Sequence, residues 1–259
     1  MELPNPEISA KNRPQTAGKC CPIVELRQYT LHPGQRDVLI ELFEREFVES
    51  QEAAGITMIG TFRRLDNPDQ FVWLRGFPDM AGRARSLAAF YGGPVWKAHR
   101  NAANTTMIDS DNVLLLHPAE QTGGFSLENL THNPAGGALP GGLVVATIYY
   151  FDAPVSPAFL GFFENTVRPA LVEAGANLLA AFATEDSPNN FPALPVREGE
   201  NVFAWFAGFP GAAAYEQHLA ALDASPGWRD LISGELAAYL TRPPEVLRLE
   251  PTARSLIKG

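Results

Sequence analysis

The chain has 259 residues, 46% hydrophobic and 19% charged, with a net charge of −9. That is ordinary globular composition, enough for one large domain or two of ordinary size. The acidic balance argues against nucleic-acid and anionic-membrane partners, which select basic surfaces, and no apolar run approaches the ~18 residues of a membrane helix.

Residues 1–21 open with MELPNPEISAKNRPQ, which is polar and proline-bearing. They read as a flexible tail without the basic and apolar regions of a signal peptide, so a cytoplasmic protein is expected. Cys20 and Cys21, the only cysteines, are adjacent. Neighbours close no useful loop, so two bystander thiols are expected. Ile23–Leu31 alternates with period 2 and predicts a strand. Gln35–Ala54 carries Val38, Leu39, Leu42, Phe43 and Phe47 at helical spacing, and Gly55 ends that helix. Ile56–Leu65 and Gln70–Gly76 flank a turn-forming cluster and predict a hairpin. Asp79 caps a helix to about Tyr91, Gly92-Gly93 breaks it, and Pro94 opens another over about Val95–Met107. NVLLLH, Asn112–His117, is a buried strand. The order is β-α-β-β-α-β, the ferredoxin-like unit, over residues 22–118.

Residues 119–142 are rich in Gly, Pro and Asn and read as a linker. The pattern then repeats over 143–251, leaving 252–259 as a C-terminal tail. Leu143–Phe151 is the first strand of the second copy. Ser156 caps its first helix with Pro157 behind it, and Pro169 should kink that helix. Val246–Leu249 is the last strand. Phe71, Trp73, Gly76, Phe77, Pro78, Pro94 and Trp96 recur as Phe203, Trp205, Gly208, Phe209, Pro210, Pro226 and Trp228, all at an offset of 132. Ala54-Gly55 recurs as Ala174-Gly175 at 120. The change in offset places a 12-residue insertion within Glu185–Asn201, either a lid or tolerated surface.

A single ferredoxin-like sheet leaves one face bare, and two such sheets can enclose a barrel. They can do so within this chain or between chains. Free outer strand edges and helices then favour a homo-oligomer, dimer or higher.

ELRQYTLHPG, the Gly-Phe-Pro element and FYGGPVWKAHRNAANTTMIDSDNVLLL resemble the NIPSNAP family, of the dimeric α+β barrel superfamily. The resemblance covers Pro22–Pro118 well and Leu143–Pro251 more weakly. It implies an α+β fold in which two tandem ferredoxin-like (βαββαβ) repeats pack as a dimeric α+β barrel. It also implies a lumen for small, often apolar or aromatic molecules. Relatives in that superfamily include cofactor-free monooxygenases, haem-degrading enzymes and small-ring isomerases. NIPSNAP proteins have no settled catalytic residues, so no catalytic role carries over.

The two copies differ in chemistry. Glu25, Arg27, Arg63 and Arg64 face Val145, Thr147, Ala183 and Thr184 in the second, while Tyr29 stays Tyr149. Arg75, His99 and Arg100 become Ala207, Leu231 and Ile232. Trp96, His99, Arg100, Ala103 and Met107 share one helix stripe that is apolar in the second copy. A buried charge there needs a partner, and Glu25 is the nearest candidate by chemistry. Glu25, Arg27 and Tyr29 share one face of the first strand. Phe71, Trp73, Arg75 and Phe77 share one of the third, and their charges suggest the barrel side. One reading is a ligand pocket walled by Tyr29, Trp73 and Trp96, with Arg27 and Arg75 binding an anionic or carbonyl group. His99 would be the candidate catalytic acid or base. The other is a structural ion-pair network of Glu25, Arg27, Arg75 and Arg100. No metal site or nucleotide motif is apparent. Asp109 and Asp111 read as a turn cap rather than a cation site. The expected function is small-molecule binding, with cofactor-independent oxygenase or isomerase chemistry and no cofactor. Alternatives are a non-catalytic interaction oligomer and a haem-binding relative, for which His99 is the only plausible axial ligand.

Overall fold

The structure, a computed structural model, describes residues 20–119 and 123–259; most of the expected N-terminal tail lies outside them. Among the described residues, eight strands and their helices follow the expected order twice, and a ninth, short strand is added in the first repeat. In the first repeat, β1 (Ile23–Leu31) leads into α1 (Arg36–Leu42), a π-helical turn (Phe43–Phe47) and α2 (Val48–Ala53). The hairpin β2 (Thr57–Arg64) and β3 (Gln70–Phe77) precedes α3 (Met80–Gly92), α4 (Pro94–Asn104), a short β4 (Met107–Asp109) and β5 (Val113–Pro118). The second repeat has β6 (Leu143–Phe151) and α5 (Pro157–Phe162), then a π turn (Phe163–Val167) and α6 (Arg168–Glu173). There follow β7 (Asn177–Thr184), β8 (Asn201–Phe209), α7 (Ala212–Ala224), a π turn (Trp228–Ile232), α8 (Ser233–Tyr239) and β9 (Glu245–Pro251).

Local chemistry sets most of these boundaries. Asp79 accepts from the Gly82 backbone N–H at 2.5 Å, and Ser156 Oγ accepts from Phe159 N–H at 3.1 Å, so both helices start on side-chain caps. Gly55 and Gly175 take φ of 86° and 97°, the left-handed conformation that ends a helix and that a side chain disfavours. The π turns at Phe43–Phe47 and Phe163–Val167 occupy equivalent places. The helix irregularity therefore precedes Pro169 and recurs where the first repeat has Glu49. It belongs to the shared framework, not to the proline.

The strands close a barrel within one chain, in the order β3-β2-β9-β6-β8-β7-β5-β1 and back to β3. Two antiparallel seams join the repeats. Along one, Phe62, Arg63 and Arg64 face Pro251, Glu250 and Leu249; along the other, Leu116, His117 and Pro118 face Thr184, Ala183 and Phe182. Among the described residues, these seams join the outer strands of the two four-stranded sheets to each other within the chain.

The barrel interior is filled. Val24, Leu26, Val72, Leu74, Val144, Ile148, Phe206 and Leu249 meet there, and Phe125 from the linker packs with Phe182 and Phe206. Residues 252–259 do not hang free as a tail. Thr252 N–H donates to Thr61 O at 2.9 Å and Leu256 N–H to Ile59 O at 3.2 Å. Glu44 Oε1 receives Thr252 Oγ1 at 2.6 Å and Arg254 N–H at 3.0 Å, and Ile257 joins the interior cluster. Cys20 and Cys21 are joined as a vicinal disulfide beside that cluster, not two free thiols.

Candidate functional site

Alternation along β1 sends Val24 and Leu26 into the lumen. Glu25, Arg27 and Tyr29 point the other way, under the helices. On β3, Val72 and Leu74 face the lumen while Phe71, Trp73, Arg75 and Phe77 face the helices. The charges therefore sit in the sheet–helix layer of the first repeat rather than on the barrel side. Both sides of this sheet are packed, so charge does not mark the lumen. Register places Glu25 opposite Arg75 and Arg27 opposite Trp73.

Glu25 is the hub. Its Oε2 receives Arg27 Nη1 at 2.7 Å and Arg75 Nε at 2.7 Å, and its Oε1 receives Arg83 Nε at 2.6 Å. Glu25, Arg75 and Arg83 have no exposed surface and Arg27 has 1%. Arg27 Nε donates to Tyr29 Oη at 3.1 Å. Arg75 Nη1 donates to Gln51 Oε1 at 3.1 Å and Tyr91 Oη at 3.4 Å. Arg83 Nη1 donates to Asn189 Oδ1 at 3.0 Å and Asn190 Oδ1 at 2.9 Å, both from the insertion between β7 and β8. Aromatic faces cover the guanidiniums. Arg75 lies 5.0 Å from the Trp73 ring and 5.8 Å from Tyr91, and Arg27 lies 5.3 Å from Trp73.

Three guanidiniums share one carboxylate, a local charge of +2 away from water. Burial alone would raise the Glu25 pKa, but Arg75, Arg27 and Arg83 outweigh it and hold the carboxyl well below its ordinary range. Burial likewise works against charge on Arg27, yet Tyr29 and Glu25 push its pKa up. For Arg83 burial prevails and the pKa is lowered despite Glu25. Arg75 Nη2 and Arg83 Nη2 are buried without a hydrogen-bond partner. Trp73 Nε1 also lacks one, but so does its counterpart Trp205 Nε1, so that nitrogen distinguishes neither repeat.

The helix candidates stand apart from this hub. Trp96 is half-buried against Phe47, Phe90 and Tyr91, with ring centroids 5.5, 5.8 and 4.8 Å away. It reaches the cluster only through Tyr91. His99 is partly exposed, outside the lumen, with Nε2 3.4 Å from Glu46 Oε2; Glu25 is not its partner. The lumenal position that the haem alternative requires of His99 is not where it lies. Arg100 is exposed and outside the ion-pair cluster, and Leu231, the counterpart of His99, is 71% exposed. Trp96, Ala103 and Met107 of that stripe pack on the core, while His99 and Arg100 lie at its outer margin. Arg63 and Arg64 pair with Asp37 and Asp66 at the surface.

Sequence reading missed Arg83, Gln51, Tyr91 and the two asparagines. Arg83 was findable: its counterpart at offset 132 is Tyr215, one more ionisable-to-neutral exchange. In the second repeat the equivalents of the cluster are Val145, Thr147, Ala207 and Tyr215, within an apolar sheet–helix layer.

Elsewhere, an open cavity of about 640 Å³ lies between the repeats. Its Arg197 and Arg242 are already answered by Glu200, and Tyr150 Oη by Glu245 at 2.6 Å. Among the described residues no three His, Cys, Asp or Glu side chains are placed to hold a metal, and no helix is long and apolar enough to cross a membrane.

Residues 24–121 match the NIPSNAP family model. A NIPSNAP-like domain protein from Burkholderia xenovorans is 30% identical, over 38% of this chain and 85% of that one, with a TM-score of 0.35. The solved structures that span both repeats include two described as monooxygenases. One, described as a "putative monooxygenase" from Fusobacterium nucleatum, is 10% identical with a TM-score of 0.56, covering 92% of this chain and 96% of its own. The other, with the same description, is from Lactobacillus acidophilus; it is 16% identical with a TM-score of 0.51, covering 89% and 94%. At such identities both show the fold alone. No curated protein matches the chain.

Proposed function

Taking as premise that this chain belongs to the NIPSNAP family through its first repeat, we propose that it binds a small apolar or aromatic molecule in the sheet–helix layer of that repeat. We further propose that it acts there as a cofactor-independent, monooxygenase-type enzyme. The observation that carries the binding reading is the buried cluster of Glu25, Arg27, Arg75 and Arg83, which the second repeat replaces wholesale with neutral side chains. A buried cationic excess is expensive to keep for structure alone, because a hydrophobic layer of equal volume is often as stable or more so. The second repeat carries such a layer on the same framework. Trp73, Tyr29 and Tyr91 supply the aromatic surface. The oxygenase component is supported by the whole-chain likeness to proteins described as monooxygenases.

The competing reading is a structural ion-pair layer in a non-catalytic oligomer. Native mass spectrometry of protein from its own host separates the two. The ligand reading expects a stoichiometric adduct, lost when Glu25, Arg27, Arg75 and Arg83 are exchanged together for Val, Thr, Ala and Tyr. Identical adduct-free spectra for both proteins would sink it.

A further inference from the structure

We propose that the occupant of this site is an aromatic carboxylate and that the insertion around Asn189–Leu194 is its cover; this rests on the ligand-binding reading above. The charge balance points to an anion. Arginine does not shed its proton in proteins, so three guanidiniums against one carboxylate leave +2 that the layer itself does not answer.

The hydrogen-bond balance agrees. Among the described residues, the buried side-chain atoms without partners that set this layer apart from its counterpart are Arg75 Nη2 and Arg83 Nη2. Both are donors, so the missing group is an acceptor. Ring faces of Trp73, Phe77 and Tyr91 flank the Arg75 guanidinium at 5.0, 5.6 and 5.8 Å; Nε and Nη1 already donate to Glu25, Gln51 and Tyr91, so Nη2 is the donor left for binding. A carboxylate oxygen can take that donor, and its ring would continue the aromatic surface.

The cover comes from the other repeat. The first hairpin turns through Asp66–Asp69, whereas the second carries Glu185–Asn201 between its strands. That segment crosses to the first repeat. Phe191 stacks on Tyr91 with centroids 6.1 Å apart, and Phe191 and Leu194 pack on the first repeat's core. Asn189 and Asn190 place two neutral amide oxygens on Arg83 Nη1. A carboxylate is the stronger acceptor for a guanidinium, so those amides hold the site shut only until an anion competes for Arg83. Asn190 Nδ2 also donates to Met80 O at 2.5 Å, latching the segment to the start of α3.

The test is calorimetric titration of the full chain with benzoate, its neutral isostere benzamide, and inorganic phosphate. Benzoate is expected to bind at one site per chain, and benzamide and phosphate at least about tenfold more weakly, because both the charge and the ring are used. Arg83→Met should weaken benzoate at least about tenfold and leave benzamide unchanged. In stopped-flow mixing, Phe191→Ala should speed both benzoate association and release, as loss of a cover does. Equal binding of benzoate and benzamide overturns the carboxylate while the ligand-binding reading stands. Phosphate binding as tightly as benzoate overturns the aromatic acid. Rates unchanged by Phe191→Ala overturn the cover. Failure of all three probes overturns this inference, and an adduct-free native spectrum as well takes the ligand-binding reading with it. If Arg83→Met does not fold, the three-probe comparison on the unaltered protein still decides.

Discussion

The two sheet–helix layers are built on one framework and filled with opposite chemistry. Both have Trp on the third strand (Trp73, Trp205), Tyr on the first (Tyr29, Tyr149), a π turn in the first helix and glycine at its end. Beneath α3 the first layer holds a carboxylate and three guanidiniums; beneath α7 the second holds Val145, Thr147, Ala207 and Tyr215. The second repeat shows that the fold does not need the charges. It serves as a natural control for what the first repeat has added.

The largest expected effect comes from removing the hub. Glu25→Gln leaves three guanidiniums without their carboxylate and should cost about 3–5 kcal/mol, read from urea denaturation. A loss under about 1 kcal/mol would mean that the cluster is already balanced by something else. Next, converting the first layer to the second, with Glu25→Val, Arg27→Thr, Arg75→Ala and Arg83→Tyr together, should leave stability unchanged or raise it by up to about 4 kcal/mol. A strong loss would make the charges structural and erase the contrast between the repeats.

Acid titration sharpens the comparison further. The folded-state pKa of Glu25 is depressed, so its contribution is complete above its ordinary value of 4.5 and is lost as pH falls below that toward the folded value. Melting temperature should therefore fall more steeply below pH 4.5 in the natural protein than in the fourfold variant. The smallest effect lies in the second repeat. His218 is buried, its Nδ1 donates to Ala174 O at 3.1 Å, and its pKa is lowered by burial. Its depressed pKa means that stability falls as pH drops below 6.5 toward the folded value. Its first-repeat counterpart, Ser86, does not titrate, so His218→Ser should remove that step.

Much of this was legible in the residues, and the failures have physical causes. Period-2 alternation gave β1 as Ile23–Leu31, and the internal repeat gave β6 as Leu143–Phe151, both to the residue. The change of offset located the insertion that lies against the first repeat. Alternation also grouped Glu25, Arg27 and Tyr29 correctly, but it is blind to which side is the lumen when both sides are buried. Arg83 was overlooked because α3 has little apolar periodicity to frame it. β4, with three residues, is too short to carry a period. In residues 252–259 burial comes from backbone pairing with β2 and from Glu44, neither of which leaves a local pattern.

The return of Thr252–Ile257 onto β2 has a consequence for the order of events during synthesis. The outer edge of β2 is made early, yet its neighbour β9 and the strap that follows are made last. Until then the first half presents an open sheet edge, the state most prone to pairing with another nascent chain. The polypeptide thus folds with high contact order and a late closing step.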